Sequence, residues 1–127
     1  MEVVAAVVER DGRFLLTRRL EGTHLAGYWE FPGGKRGETE TLEEALEREI
    51  REELDVHIRV GAPILTTGHS YGSTPVVLHF YECFLDGEPR PVLGQGVLWV
   101  AREDLGALLL PPADAEIVRL LVTRPRK

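Results

Sequence analysis

Glu49, Glu52 and Glu53 cluster beside Arg48 on the uninterrupted stretch Leu42–Leu54. That stretch holds no Gly or Pro and is rich in Leu, Ala, Glu and Arg, which predicts a helix. At about 100° per residue, Leu42, Ala45, Leu46, Ile50 and Leu54 share one arc of its surface. Glu49 and Glu53 fall inside that apolar arc and Glu52 on its edge, whereas Glu44, Arg48 and Arg51 face the other way. A carboxylate buried without compensation costs several kcal/mol, and two like charges one turn apart repel. A divalent cation reverses the sign of that interaction. Hard cations such as Mg²⁺ take oxygen ligands, usually one or two carboxylates together with substrate phosphates. Two readings stand: a cation site, or carboxylates that reach past the helix edge into solvent.

Phe31-Pro32-Gly33-Gly34-Lys35 precedes this helix. A Gly pair is ordinarily just a turn, but beside the carboxylates its bare backbone can approach a metal or phosphates closely. Arg19 has the fork for a bidentate phosphate contact, against the plain reading of a solvated arginine at a strand end. Trp29, Phe80 and Tyr81 have faces on which a base stacks, although aromatic residues in strands more commonly fill the core. His24 and His69 sit in loop-like positions. The single Cys83 lies in an apolar run, where a small buried residue is expected, and it forms no internal disulfide.

Positioning these residues requires a folded frame. The chain has 127 residues, enough for one domain over 1–127 that buries roughly two-thirds of its unfolded surface. Hydrophobic residues make up 43% and charged residues 28%, which excludes a disordered chain. The net charge of −6 disfavours duplex nucleic acid, and a chain of this charge that handles phosphates must do so locally or through a cation. No uncharged run is long and apolar enough to span a bilayer, and the opening residues lack a basic signal region. The expected address is the cytoplasm, as a monomer or homodimer.

Residues 3–18 read as a hairpin turning at Asp11-Gly12, and 28–31 as a short strand. Thr41 lies three residues before Glu44, a capping-box spacing that starts the helix. Residues 56–60, 64–69, 76–85 and 97–100 read as strands, with a turn at Tyr71-Gly72-Ser73. Residues 103–110 hold a helical turn, and Pro112 suits the first turn of a terminal helix running to about Val122. The class is α+β.

With these residues in place, the sequence resembles the Nudix hydrolases. Their signature is Gly, five residues, Glu, seven residues, then Arg-Glu, an aliphatic residue, any residue, Glu-Glu, any residue, Gly and an aliphatic residue. Here Gly34 and Glu40 precede Arg48-Glu49-Ile50-Arg51-Glu52-Glu53-Leu54-Asp55-Val56. Asp55 stands where the signature has Gly. That Gly ends the helix in a left-handed turn, which Asp tolerates better than most residues, so a modest stability cost is expected and not loss of activity. Thr17-Arg18-Arg19, His24, Glu30-Phe31-Pro32-Gly33-Gly34-Lys35 and Leu110-Pro111-Pro112-Ala113-Asp114 look like the MutT branch of nucleoside triphosphate pyrophosphohydrolases.

The resemblance implies an α/β/α sandwich around a mixed β-sheet. It implies Glu49, Glu52 and Glu53 as metal ligands, with a carbonyl of Gly33 or Gly34 completing the shell of Mg²⁺, or of Mn²⁺. Glu49 becomes a candidate base oriented by Arg48. Arg19, His24, Glu30, Lys35, Phe80 and Asp114 become candidates for substrate binding, with Asp114 at the base-contacting position. The implied reaction is hydrolysis of a nucleoside triphosphate, oxidised or otherwise modified ones of the 8-oxo-dGTP or CTP/dCTP type included, to a monophosphate and pyrophosphate. Dinucleoside polyphosphates, ADP-ribose or another nucleoside diphosphate conjugate form the alternative substrate class. A non-catalytic nucleotide-binding regulator is the alternative of another kind. MutT relatives often carry a further Glu shortly before a late-strand Trp. The corresponding stretch, Val92 to Trp99, holds no acid, so Glu88 or Glu103 substitutes from a distance, water fills the position, or Glu49 works unaided.

Overall fold

The computed structural model describes residues 1–124. Its strands are β1 (Glu2–Val7), β2 (Glu9–Arg10), β3 (Arg13–Arg18), β4 (Trp29–Glu30), β5 (Gly33–Lys35), β6 (Ile58–Tyr71), β7 (Thr74–Leu85) and β8 (Val97–Ala101). Its helices are α1 (Leu42–Leu54) and α2 (Ala115–Thr123), with 3₁₀ turns at Arg102–Ala107 and Pro112–Asp114.

One four-stranded sheet has the order β5-β1-β7-β6. Its β1–β7 pairing is parallel and the others are antiparallel, so the sheet is mixed. The second sheet centres on β3, which pairs with β2, β4 and β8. Val4, Ala6 and Val8 join Ala45, Leu46, Ile50 and Leu54 of α1 in one core. Ala5 and Val7, on the opposite face of β1, join Ile117 and Leu121 of α2 in the other. The expected layering of helices on both sides of a mixed sheet is therefore present.

Residues 3–18 do not form one hairpin. Only β2 and β3 fold back on each other, while β1 lies between β5 and β7. The cause is burial: Val4, Ala5, Ala6 and Val7 are all at most 6% exposed, and a strand apolar on both faces belongs inside a sheet with both faces covered. The expected strands 56–60 and 64–69 are one long β6 with irregular register around Pro63. Proline lacks a ladder N–H, so the bulge absorbs it instead of breaking the strand. The terminal helix starts at Ala115, after the Pro112–Asp114 turn, and not at Pro112 itself.

Gly33–Lys35, read from sequence as loop, is a strand against β1. It needs the missing side chain: a Cβ on Gly33 would collide with the Val4 carbonyl oxygen.

Candidate active site

Local chemistry fixes α1 at both ends. The Thr41 hydroxyl accepts from the Glu44 N–H at 3.1 Å, and the Glu44 carboxylate accepts from the Thr41 N–H at 2.8 Å. At the other end Asp55 takes the left-handed conformation, φ 48° and ψ 45°, and its N–H caps the Arg51 carbonyl. The departure from Gly is thus accommodated without loss of the helix end. Ala45, Leu46, Ile50 and Leu54 are the buried residues of α1, as the sequence arc predicts.

Between this helix, the β5 backbone and the β6–β7 turn lies a cleft of about 960 Å³. That is at the upper end of the range for small-molecule sites. Glu49 and Glu53 line it, together with Gly33, Gly34 and Lys35. Gly34 is required there, because a Cβ would stand 2.5 Å from the Glu49 carboxyl carbon. Burial pushes the Glu49 carboxyl above its ordinary range, although Arg48 opposes the shift. Burial first, then the charges of Glu49, Glu30 and Glu52, push Glu53 up to about 8. These two carboxylates are held where a cation would relieve both.

Arg48 and Glu52 stand outside the cleft lining. Arg48 does not pair with Glu44, as a simple surface helix would have it. Its Nε and Nη2 grip Glu40 at 2.6 and 2.9 Å, and Nη1 donates to Glu49 at 3.0 Å. Nη2 also donates to the Lys35 carbonyl at 3.1 Å, and Nη1 reaches Glu52 at 3.3 Å. Arg48 and the Gly37 N–H hold the Glu40 carboxyl down to about 2. Glu52 is more than half exposed. Among the described residues, no three Asp, Glu, His or Cys side chains already form a cation cage. Glu49 and Glu53 supply the oxygen chemistry a hard divalent cation needs, and Glu52 joins them only by turning away from Arg48.

Arg19 and Glu30 line the cleft as a half-buried pair at 2.9 Å. Arg19 Nε also donates to the His24 carbonyl at 2.5 Å, which shapes the loop between β3 and β4. Burial raises the Glu30 carboxyl and Arg19 lowers it in part. The exposed His24 meets the Tyr71 ring edge-on at 5.2 Å. Asp114 is 5% exposed. It occupies the N-cap position of α2 but makes no capping hydrogen bond, and its carboxylate is bonded to no described side chain or backbone group. Burial, then the charge of Glu30, push it up to about 7.

Phe80, expected as a stacking residue, is buried beneath the cleft surface. Phe80 lines the cleft but is 1% exposed, with its ring packed edge-on against Phe31 at 6.0 Å. It forms the floor, and Trp29 and Tyr81 do not line the cleft at all. Tyr71, which the sequence suggests only as a turn residue, lines the cleft beside His24. Glu40 as the anchor of Arg48 was legible only as a signature position.

The stretch from Val92 to Trp99 contributes no acid, and neither Glu88 nor Glu103 lines the cleft. Glu88 is held by Arg10 at 2.7 Å. Instead, Gln95, 7% exposed, accepts from the Leu93 N–H and donates to the Glu53 carbonyl, both at 3.0 Å. The loop therefore fixes the backbone of Glu53 and adds no charge.

A model of the NUDIX domain matches residues 3–120. The chain is 34% identical to the CTP pyrophosphohydrolase of Escherichia coli (strain K12) over 119 residues, 93% of this chain and 88% of that protein. It is 34% identical to the 8-oxo-dGTP diphosphatase of Haemophilus influenzae over 125 residues, 96% of this chain and 91% of that one. The solution structure of the E. coli ORF135 protein superposes with a TM-score of 0.85 at 34% identity, over 99% of this chain and 94% of the other. Hydrolases of this kind are generally dependent on a divalent metal. Motif, fold and similarity agree, and the chain belongs to the NUDIX domain family.

Proposed function

We propose that residues 1–127 act as one catalytic domain that hydrolyses nucleoside triphosphates, including oxidised or modified ones, to the monophosphate and pyrophosphate, with Mg²⁺ or Mn²⁺ as cofactor. The observation that carries this reading is the set of groups that one cleft brings together: the carboxylates Glu49 and Glu53, the Arg19–Glu30 ion pair and the buried Asp114. A nucleoside triphosphate has phosphates to be held through a cation and a positive charge, and a base to be read by a hydrogen-bonding group.

Glu49 and Glu53 would hold the cation, with Glu52 and a carbonyl of Gly33 or Gly34 as further ligands. Bound there, it would neutralise phosphate charge and lower the pKa of water. Glu49, raised by burial and oriented by Arg48, accepts the proton of the attacking water at its carboxylate. Lys35 and Arg19 attract the phosphates. The water oxygen bonds to a phosphorus, the phosphoanhydride bond breaks, and pyrophosphate leaves.

Relatives named CTP pyrophosphohydrolase and 8-oxo-dGTP diphosphatase support this substrate class and favour cytosine or oxidised guanine as the base. The substrate in this reading is a free cytoplasmic nucleotide. Among the described residues no helix is long and apolar enough to cross a membrane. The test is a screen of purified protein with Mg²⁺ against nucleoside triphosphates and nucleoside diphosphate conjugates, reading pyrophosphate and phosphate separately. Pyrophosphate from triphosphates is expected. Turnover of conjugates alone, or of nothing, overturns the reading.

A further inference from the structure

The Arg48–Glu40 grip depends on where Glu40 stands, and Glu40 lies on a turn outside any helix or strand. Arg36 closes that turn from one side. Its Nη1 donates to the carbonyls of Gly37 at 3.2 Å and Glu40 at 3.0 Å. Its Nε and Nη2 both hold Glu2 Oε2 at 2.8 Å. The Gly37 N–H donates to Glu40 Oε1 at 2.8 Å, completing the turn from within.

Glu2 is itself anchored. Its Oε1 lies 3.1 Å from His79 Nε2, and His79 Nδ1 lies 3.2 Å from the Thr66 hydroxyl. With Nε2 donating to the carboxylate, Nδ1 accepts from Thr66, so both ring nitrogens are satisfied. Glu2 is on β1, His79 on β7 and Thr66 on β6. His79 is only 14% exposed along its side chain. The chain of contacts runs across three strands to Arg36, around the 37–40 turn to Glu40, and through Arg48 to Glu49.

We propose that Arg36, Glu2 and His79 are positioning residues for Glu49, acting through the 37–40 turn and Arg48. None of the three touches a reacting atom. Arg36 is fitted to the task because one planar fork meets a carboxylate on one side and two carbonyls on the other, which a lysine cannot do. A displacement of Glu40 passes to Glu49 because Arg48 holds both. Misplacement by about 1 Å at a reacting group can cost on the order of 10²-fold in rate.

The inference rests on the hydrolase reading, and the experiment separates the two. Pyrophosphate release is measured on wild type, Arg36→Gln, Arg36→Lys, Glu2→Gln, Arg48→Lys and the double variant Arg36→Gln/Arg48→Lys, with folding checked by circular dichroism. Inactive wild type overturns the hydrolase reading. Given active wild type, kcat of Arg36→Gln is expected to fall about 10-fold with KM changed less than about 2-fold. Arg36→Lys should not restore it, and Glu2→Gln should show a smaller loss of the same kind. In the double variant the losses should be markedly less than additive, because both substitutions act on Glu49 through the same Glu40–Arg48 contact. If Arg36→Gln does not fold, Glu2→Gln and its double variant with Arg48→Lys carry the same test. Unchanged kcat in folded variants, or strictly additive losses, overturns the proposal.

Discussion

Arg48 holds Glu40 with two hydrogen bonds of 2.6 and 2.9 Å and, with its remaining nitrogen, donates to Glu49 at 3.0 Å. One guanidinium thus ties Glu49 on α1 to the turn before that helix. A lysine retains the charge and loses the fork. Arg48→Lys should lower kcat by about 10- to 100-fold while Tm falls by only about 4 °C, the shift expected for ~1 kcal/mol. Steady-state kinetics beside thermal melts decides it. A large loss of Tm with a proportionate loss of rate would make Arg48 a structural residue alone.

The two glycines of β5 should separate fold from chemistry. A Cβ at Gly33 meets Val4 backbone, which cannot yield, so Gly33→Ala should destabilise the protein by ~3 kcal/mol. The atoms nearest to a Cβ at Gly34 are those of the Glu49 carboxylate, the end of a side chain that can swing aside. Gly34→Ala should therefore melt near wild type and lose about 10²-fold in kcat. Chemical denaturation and pyrophosphate release on the same preparations give the contrast. Similar behaviour of both variants would sever Gly34 from the site.

What was legible in the sequence follows from how local each signal is. Thr41, Glu44 and the apolar arc of Leu42–Leu54 state a helix through contacts a few residues apart, and the structure has it. The placement of Glu49 and Glu53 on the apolar side follows from the same arithmetic. β5 was hidden because its two glycines look like a turn and become a strand only against Val4, a residue far away in the chain. Residues 3–18 suggest one hairpin because Asp11-Gly12 marks a real turn, while the partners of β1 are settled by burial on both faces. Gln95 and Tyr71 carry no signal of their own. Tyr71 matters because the end of β6 brings it to the cleft, and Gln95 because the loop before β8 brings its amide to the Glu53 carbonyl.

Glu53 makes the metal-free protein pH-sensitive. Its ordinary pKa of 4.5 rises to about 8 on folding. Below pH 4.5 both states are protonated and the group contributes nothing. Above it the unfolded chain releases the proton and the folded chain does not, so stability falls as pH rises toward 8. Glu49, Glu30 and Asp114 shift in the same direction. Glu2, Glu40 and Asp86 are shifted down, so their gains are already complete in this window. Melts in chelator should show a lower Tm at pH 8.5 than at pH 5.5. Mg²⁺ should recover most of the loss, and Glu53→Gln should flatten the profile. The same variant should lose at least ~10²-fold in kcat. A flat wild-type profile in chelator would remove the physical case for a cation between Glu49 and Glu53.

The proposed base-reading role of Asp114 can be tested through pH. Its carboxyl is 5% exposed, lines the cleft, and is pushed up to about 7. Ionised, it offers only acceptors and suits the amino group of cytosine or the N1–H and amino group of guanine. Protonated, it can also donate to a carbonyl such as O6 of guanine. Both forms are accessible near neutrality, so the preference between bases should drift with pH. Asp114 makes no capping hydrogen bond at α2, although its carboxylate still stands at the N-terminus of that helix, where the dipole favours negative charge. For wild type, the ratio of kcat/KM for dCTP-type over dGTP-type substrates, modified and unmodified, should rise about 10-fold or less between pH 6 and pH 8. Asp114→Asn always carries one donor and one acceptor group. It should reorder the bases and abolish that pH dependence, while leaving the metal requirement intact. An unchanged ranking in Asp114→Asn would show that the base is read elsewhere in the cleft.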